Sequence, residues 1–275
     1  MSPASLRPLR RAVILLPVVL LGFASIARPA AAQSAAFERV QRTVPLPAGG
    51  VFSLSNVNGS VQIEGWDREE AQISAFKFSA GGAAELSQVD VFIRQSPGGV
   101  SVETRYPQGG AAEVTVDYRV RVPARVRLAL VSTVNGGVTV RSVSGSGSLV
   151  TINGSVVLSR AAGLFSARAT NGDVSLELLS LEGGLSLAEA ALPASRGGIS
   201  AQTVNGSVIV ALPPDAGADL EVHTQNGDFA SDVPLLTRSS AAGRVIRGRI
   251  GAGGTALFLR TVNGPIRLRI APPLV

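Results

Sequence analysis

From residue 51 onward the chain places apolar side chains at every second position, in short runs broken by turn residues. The runs fall into register when they are aligned on the dipeptide Asn-Gly, which occurs at Asn58-Gly59, Asn135-Gly136, Asn153-Gly154, Asn171-Gly172, Asn205-Gly206, Asn226-Gly227 and Asn263-Gly264. Three residues after each Asn stand Val61, Val138, Val156, Val174, Val208, Phe229 and Ile266. Five after it stand Ile63, Val140, Leu158, Leu176, Val210, Ser231 and Leu268, and four before it Leu54, Val131, Leu149, Ala167, Ala201, Val222 and Leu259. Only Ser231 breaks these columns. A period of two is the mark of strands that bury one face, so the pattern predicts an all-β fold in which each unit is two short strands and two turns.

Gly and Asn both tolerate positive φ, which makes the Asn-Gly pair a natural corner. A second corner follows in Gly145 to Gly147, Gly163, Gly183-Gly184 and Pro213-Pro214. The Asn-to-Asn intervals are 77, 18, 18, 34, 21 and 37 residues, read as an 18-residue rung with degenerate copies in the longer gaps. One such unit cannot fold alone. About six buried side chains contribute ~1.5–3 kcal/mol each, whereas ordering 18 backbones costs ~1–2 kcal/mol apiece, so the units must stack.

Two architectures satisfy the columns. A two-residue hairpin at each Asn-Gly puts all the apolar columns on one face and gives an antiparallel meander or barrel. A parallel β-solenoid instead makes Asn-Gly a corner of each rung and stacks Asn on Asn and Thr on Thr, which gives the near-constant spacing a cause; it is the expected fold. About 13 rungs at ~4.8 Å would span ~60 Å.

The segments Ser53 to Val61, Gly65-Trp66-Asp67 and Val116 to Pro123, followed by repeated Val-Asn-Gly units, resemble the bacterial putative-adhesin β-strand-repeat family of unknown function. They are similar in type to the head domain of auto-transporter adhesins. The resemblance covers nearly the whole chain after residue 32, implies a β-helical, envelope-associated protein, and carries no catalytic residue. Within it, 37–130 read as degenerate rungs and 131–275 as regular ones.

Composition changes the picture at the N-terminus. Arg7, Arg10 and Arg11, the apolar run Ala12 to Ile26, and Ala30-Ala31-Ala32 have the grammar of a signal peptide over 1–32, leaving one repeat domain over 33–275. The segment holds four of the 25 basic residues and none of the 19 acidic ones, so the remainder stands at 21 against 19 and a nucleic-acid partner is not expected. With no cysteine there is no disulfide framework, thiolate site or lipoprotein anchor, and no later stretch is long enough to span a membrane. The expected address is the periplasm or cell surface.

Candidate chemistry is sparse. His223, the only histidine, falls on an outward phase; Asp67, Glu69 and Glu70 sit in a turn; Asp173 and Asp228 directly follow an Asn-Gly. These are too scattered for the clustered acid, base or metal groups of a polysaccharide hydrolase or lyase. Trp66, Tyr106 and Tyr118 are the large amphipathic rings, Trp66 in a column that favours burial. The expected protein is non-catalytic, binds no cofactor or metal, and acts as an adhesin-like interaction or scaffold module, with envelope-stress sensing as the alternative. Its partner is an envelope protein or glycan, and terminal rungs invite self-association. Far-ultraviolet circular dichroism is expected to show a strand-dominated spectrum, and substantial helix would contradict the reading.

Overall fold

Alternation of β-branched and polar residues builds strands throughout. The computed structural model describes residues 34–107, 113–181, 198–241 and 245–272. The expected signal peptide and the Gly183-Gly184 corner lie outside the described residues. Strand takes up 71% of the structure and helix 2%. Helix among the described residues is a single turn, Ala83–Leu86. Its Ala-Ala-Glu-Leu sequence favours helix, and the turn seats Leu86 in the core.

Strands on the two sides of an Asn-Gly do not pair with each other, so the dipeptide closes no hairpin. Each pairs in parallel with its equivalent one tier away: Ser144–Asn153 lies between Arg125–Asn135 and the second half of Val156–Asn171, while Val138–Arg141, the first half of Val156–Asn171 and Val174–Ser180 line up opposite. Two walls result, joined at both corners around one core. Among the described residues twenty strands form one sheet, nearly closed and barrel-like, as in the barrel alternative.

A regular parallel solenoid, the favoured expectation, is not what the chain builds, because the tiers do not stack in sequence order. The tier of Val51–Ser55 and Val61–Trp66 is inserted between Gly99–Arg105 with Val114–Pro123 and Arg125–Asn135 with Val138–Arg141. At the other end, Thr255–Asn263 and Ile266–Ile270 are inserted between Ile199–Asn205 with Val208–Leu212 and Ala218–Asn226 with Phe229–Ser231. With the two central tiers, formed by Ser144–Asn153, Val156–Asn171 and Val174–Ser180, eight are stacked among the described residues. Their span is roughly 34 Å at ~4.8 Å per step, not the ~60 Å of 13 rungs. The 77- and 34-residue intervals are each one step: Asn135 stacks directly on Asn58, and Asn205 on Asn171.

Residues 37–130, expected to be degenerate rungs, divide between tiers and antiparallel edge strands. Asp90–Ser96 covers Gly99–Arg105, Glu70–Ser79 covers Val114–Pro123, and Ala36–Pro45 pairs with Glu70–Ser79. At the opposite end Val245–Ile250 covers Ala218–Asn226 and is itself covered by Leu236–Ala241. Between Asp90–Ser96 and Gly99–Arg105 the reversal needs only a short return, where a parallel partner would need a long crossover.

Corner geometry corrects the reason for Asn-Gly. None of the seven Asn has positive φ; among the described residues the non-glycine positions that do, Ser142 and Arg160, lie at the other corner. Gly is required because the backbones nearly touch: at Gly154 (φ 153) a Cβ would overlap the Gly136 carbonyl oxygen, and at Gly172 that of Gly154. Every corner Gly but Gly227, in the last tier, donates its N–H to the neighbouring Asn carbonyl, as from Gly154 to Asn171 at 2.9 Å. Beneath the corner the Thr column is buried, and its hydroxyls donate to Gly carbonyls: Thr133 to Gly59 (2.9 Å), Thr151 to Gly136 (2.7 Å), Thr203 to Gly172 (2.7 Å) and Thr261 to Gly206 (3.0 Å).

Between the walls lie Phe52, Leu54, Ile63, Leu128, Leu149, Leu158, Phe165 and Leu176, all buried. Tyr118 closes the first end of the core, its hydroxyl 2.6 Å from Thr104 Oγ1, and burial pushes its pKa up to about 12.

These contacts set an order of sensitivity in urea denaturation. Gly154→Ala combines strained φ with backbone overlap and is expected to cost roughly 3 kcal/mol or more. Thr151→Val removes a buried donor at a cost of about 1–2 kcal/mol, and Asn153→Ala, at an exposed site, about 1 kcal/mol or less. Equal losses for Gly154→Ala and Asn153→Ala would contradict the close-approach account.

Candidate functional site

The Asn residues converge on one edge. Asn135 Nδ2 donates to Asn58 Oδ1 (2.8 Å), Asn153 to Asn135 (2.8 Å), Asn171 to Asn153 (2.8 Å), Asn205 to Asn171 (2.9 Å), Asn263 to Asn205 (2.7 Å) and Asn226 to Asn263 (2.8 Å). The ladder consumes the amides in holding the tiers together, so it is a structural seam. Gly59, Gly136, Gly154, Gly172, Gly206, Gly227 and Gly264 stack beside it.

The scattered acidic residues are likewise occupied or isolated. Asp173 Oδ1 accepts from the N–H and hydroxyl of Ser207 at 2.7 and 2.8 Å, repeating the contact of Asp117 with Ser60. Two tiers, those of Asn205 and Asn263, separate Asp173 from Asp228. Glu70 faces Arg68 at 3.5 Å in the turn after Trp66, while Asp67 and Glu69 are exposed. Trp66 is half-buried, donates to the Glu70 carbonyl at 2.9 Å and carries the Arg68 and Arg121 guanidinium groups over its ring. Tyr106 is partly buried and donates to Val114 O at 3.0 Å. None of these forms a cluster with His223.

What the columns did not reveal is a cavity of about 600 Å³ on the outer face of the last tiers. Alternation points residues 200 and 202, 256, 258 and 260, and 219, 221 and 223 outward from three adjacent strands, and the register sets them side by side: Ser200 beside Phe258 beside Glu221, and Gln202 beside Arg260 beside His223. Val245–Ile250 adds Arg247 beside Glu221 and Arg249 beside Asp219. Phe258 is the half-buried apolar floor, with the His223 ring centroid 5.2 Å from its own.

His223 Nε2 lies 2.6 Å from Glu221 Oε1, and Arg247 lies 3.6 Å from the same oxygen. The hydrogen bond with His223, aided by the Arg247 charge, holds the Glu221 carboxyl below the usual carboxylate range. Asp219 is paired with Arg249 at 3.0 Å. Arg260 is exposed and has no partner among the described residues, so the cleft presents one uncompensated guanidinium beside an aromatic floor. The sequence signal for this site was the outward phase itself, where Phe258 stands five residues before Asn263, in a column otherwise filled mostly by Ser.

No family model matches the chain, and neither does any curated protein sequence. Among solved structures, it is similar to a putative cell adhesion protein from Clostridium sporogenes ATCC 15579, at 7% identity and TM-score 0.42 over 84% of this chain and 99% of that one. It is also similar to a putative adhesin from Bacteroides fragilis NCTC 9343, at 10% identity and TM-score 0.31 over 84% of this chain and 97% of that one. A putative lipid binding protein from Parabacteroides distasonis ATCC 8503 shares 6% identity at TM-score 0.25, over 83% of this chain and 96% of that one. None of the three bears an auto-transporter name, and likenesses this distant say nothing of a ligand.

The depressed Glu221 pKa has a testable sign. A folded pKa below the ordinary 4.5 makes the ionised Glu221 stabilising above about that pH, and the contribution is lost as pH falls through the folded value. Wild type is expected to exceed Glu221→Gln in stability at about pH 6, by a margin that shrinks as the pH falls through the folded value. A difference undiminished at low pH would remove the charge-assisted pair.

Proposed function

We propose that this protein is an exported, non-catalytic binding module of the bacterial cell envelope, and that the cleft over Phe258 takes a carbohydrate bearing a carboxylate. The observation that carries the reading is the pairing of an aromatic floor with the unpartnered Arg260. A pyranose ring presents an apolar face that packs on an aromatic ring, and a guanidinium recognises a carboxylate in bidentate fashion. Ser200, Gln202 and the carboxylates of Asp219 and Glu221 bring the hydrogen-bonding groups that sugar hydroxyls need at fixed positions.

Binding rather than turnover is supported by the state of the acid groups. Glycoside hydrolysis needs one carboxyl kept protonated to donate to the leaving oxygen, whereas Glu221 is held ionised by His223 and Arg247 and Asp219 is paired with Arg249. Export is supported by the Arg-rich, apolar and Ala-rich segments of residues 1–32.

Calorimetry with uronic-acid and neutral oligosaccharides of equal length tests the proposal. The acidic series is expected to bind more tightly. Phe258→Ala is expected to weaken both series by about ten-fold, on the order of 1.4 kcal/mol, and Arg260→Gln to abolish the preference for the acidic one. Retention of that preference in Arg260→Gln, or release of reducing sugar, would overturn the reading.

A further inference from the structure

Among the described residues, four strands pair on one side only. Three are short: Asp90–Ser96 has seven residues, Leu236–Ala241 six and Phe229–Ser231 three. The fourth, Ala36–Pro45, has ten, and it pairs only with Glu70–Ser79. A long open edge exposes a row of backbone donors and acceptors that a second strand can satisfy. Ala36, Val40 and Val44 turn toward the core and are partly buried, while Phe37, Arg39, Gln41 and Thr43 turn outward, Phe37 being 64% exposed.

We infer that this edge is a homodimer interface, in which Ala36–Pro45 of two copies pair antiparallel about a two-fold axis through Val40. The strand's own sequence selects the occupant and the register. A two-fold axis normal to the sheet keeps inward residues inward, so only registers that pair residues of like parity are allowed. Centred on Val40, Val40 meets Val40, Arg39 meets Gln41, Phe37 meets Thr43, and Glu38 meets Arg42 twice over, once on each side of the axis.

The neighbouring registers are worse. Centring on Arg39 sets two guanidinium groups directly opposite each other, and centring on Gln41 puts Val40 against Arg42 and Glu38 against Val44. Like charges across a strand pair are destabilising, whereas opposite charges and aliphatic pairs are favourable.

The side chains are free to take these roles. Arg42 is exposed and has no partner among the described residues. Glu38 uses Oε2 to accept from the buried Lys77 at 2.7 Å, while its side chain remains 47% exposed, so Oε1 is open to Arg42 of the second copy. Lys77 thus fixes the carboxylate that the second copy reads. Phe37, stacked against Phe76 at 6.1 Å between centroids, would gain Thr43 of the second copy as cover. The resulting pair carries two Phe258 clefts, one per copy.

Sedimentation velocity of the purified protein across a concentration series is expected to show a monomer–dimer equilibrium. Arg42→Glu faces Glu38 with a like charge and is expected to weaken the dimer at least ten-fold, and 1 M salt to weaken it in the wild type. Asp90→Arg, on the shorter edge of the other wall, is expected to leave it unchanged. Because the native chain has no cysteine, Val40→Cys reports the register directly: it is expected to form a disulfide-linked dimer on oxidation, and Gln41→Cys is not. A protein that stays monomeric throughout, a dimer broken by Asp90→Arg but not by Arg42→Glu, or cross-linking through residue 41 in place of 40 would each overturn the inference. Unchanged thermal unfolding of Arg42→Glu excludes misfolding as the cause of its effect.

Discussion

The close approach of one corner to the next is the constraint on which the rest depends. Where Gly154 passes over Gly136 and under Gly172, there is room for hydrogen but not for a methyl group, so the corners stack with their backbones nearly in contact. That approach puts the N–H of every corner Gly but the last within reach of the next Asn carbonyl and the buried Thr hydroxyls beneath within reach of Gly carbonyls. It also sets neighbouring Asn side chains at the spacing of a strand pair, where amide can donate to amide. Burial of the aliphatic columns supplies most of the stabilisation, and the corner chooses the register in which they are buried.

A stack held by such equivalent contacts has no intrinsic end. The outermost tiers, Gly99–Arg105 with Val114–Pro123 and Ala218–Asn226 with Phe229–Ser231, are covered by antiparallel strands, and the first and last tiers along the chain are drawn inward. Unpaired backbone is thereby confined to a few outer strands. Three are short, and the fourth has a charge pattern that complements itself.

The same alternation that fills the core also writes the outer surface, and there the tiers differ from one another. Ser occupies most of the outward column five residues before each Asn, but near the C-terminal end that column reads Phe258 and Glu221. Next to it stand Gln202, Arg260 and His223, and the antiparallel strand Val245–Ile250 adds Arg247 and Arg249. A regular scaffold with one irregular outer face is well suited to binding: the seam and the core fix the strands, and the outward side chains vary without disturbing either.

Much of this was already written in the chain. Period-two alternation marked the strands and their buried faces, because a strand side chain has only two directions to point; Leu54, Leu149, Val156 and Leu176 lie where it places them. Asn-Gly marked the corners. The sequence by itself did not determine which tier lies on which. Asn58 and Asn135 are 77 residues apart and in direct contact, while Asn205 and Asn226 are 21 apart and separated by Asn263. The repeats are nearly alike, so local pattern fits any order of stacking equally well; the choice falls to the edge strands and returns that make one order closable. The cleft was hidden for the same reason, since Gln202 and His223 come to lie beside Phe258 and Arg260 only once the last tier along the chain is inserted beneath the one before it.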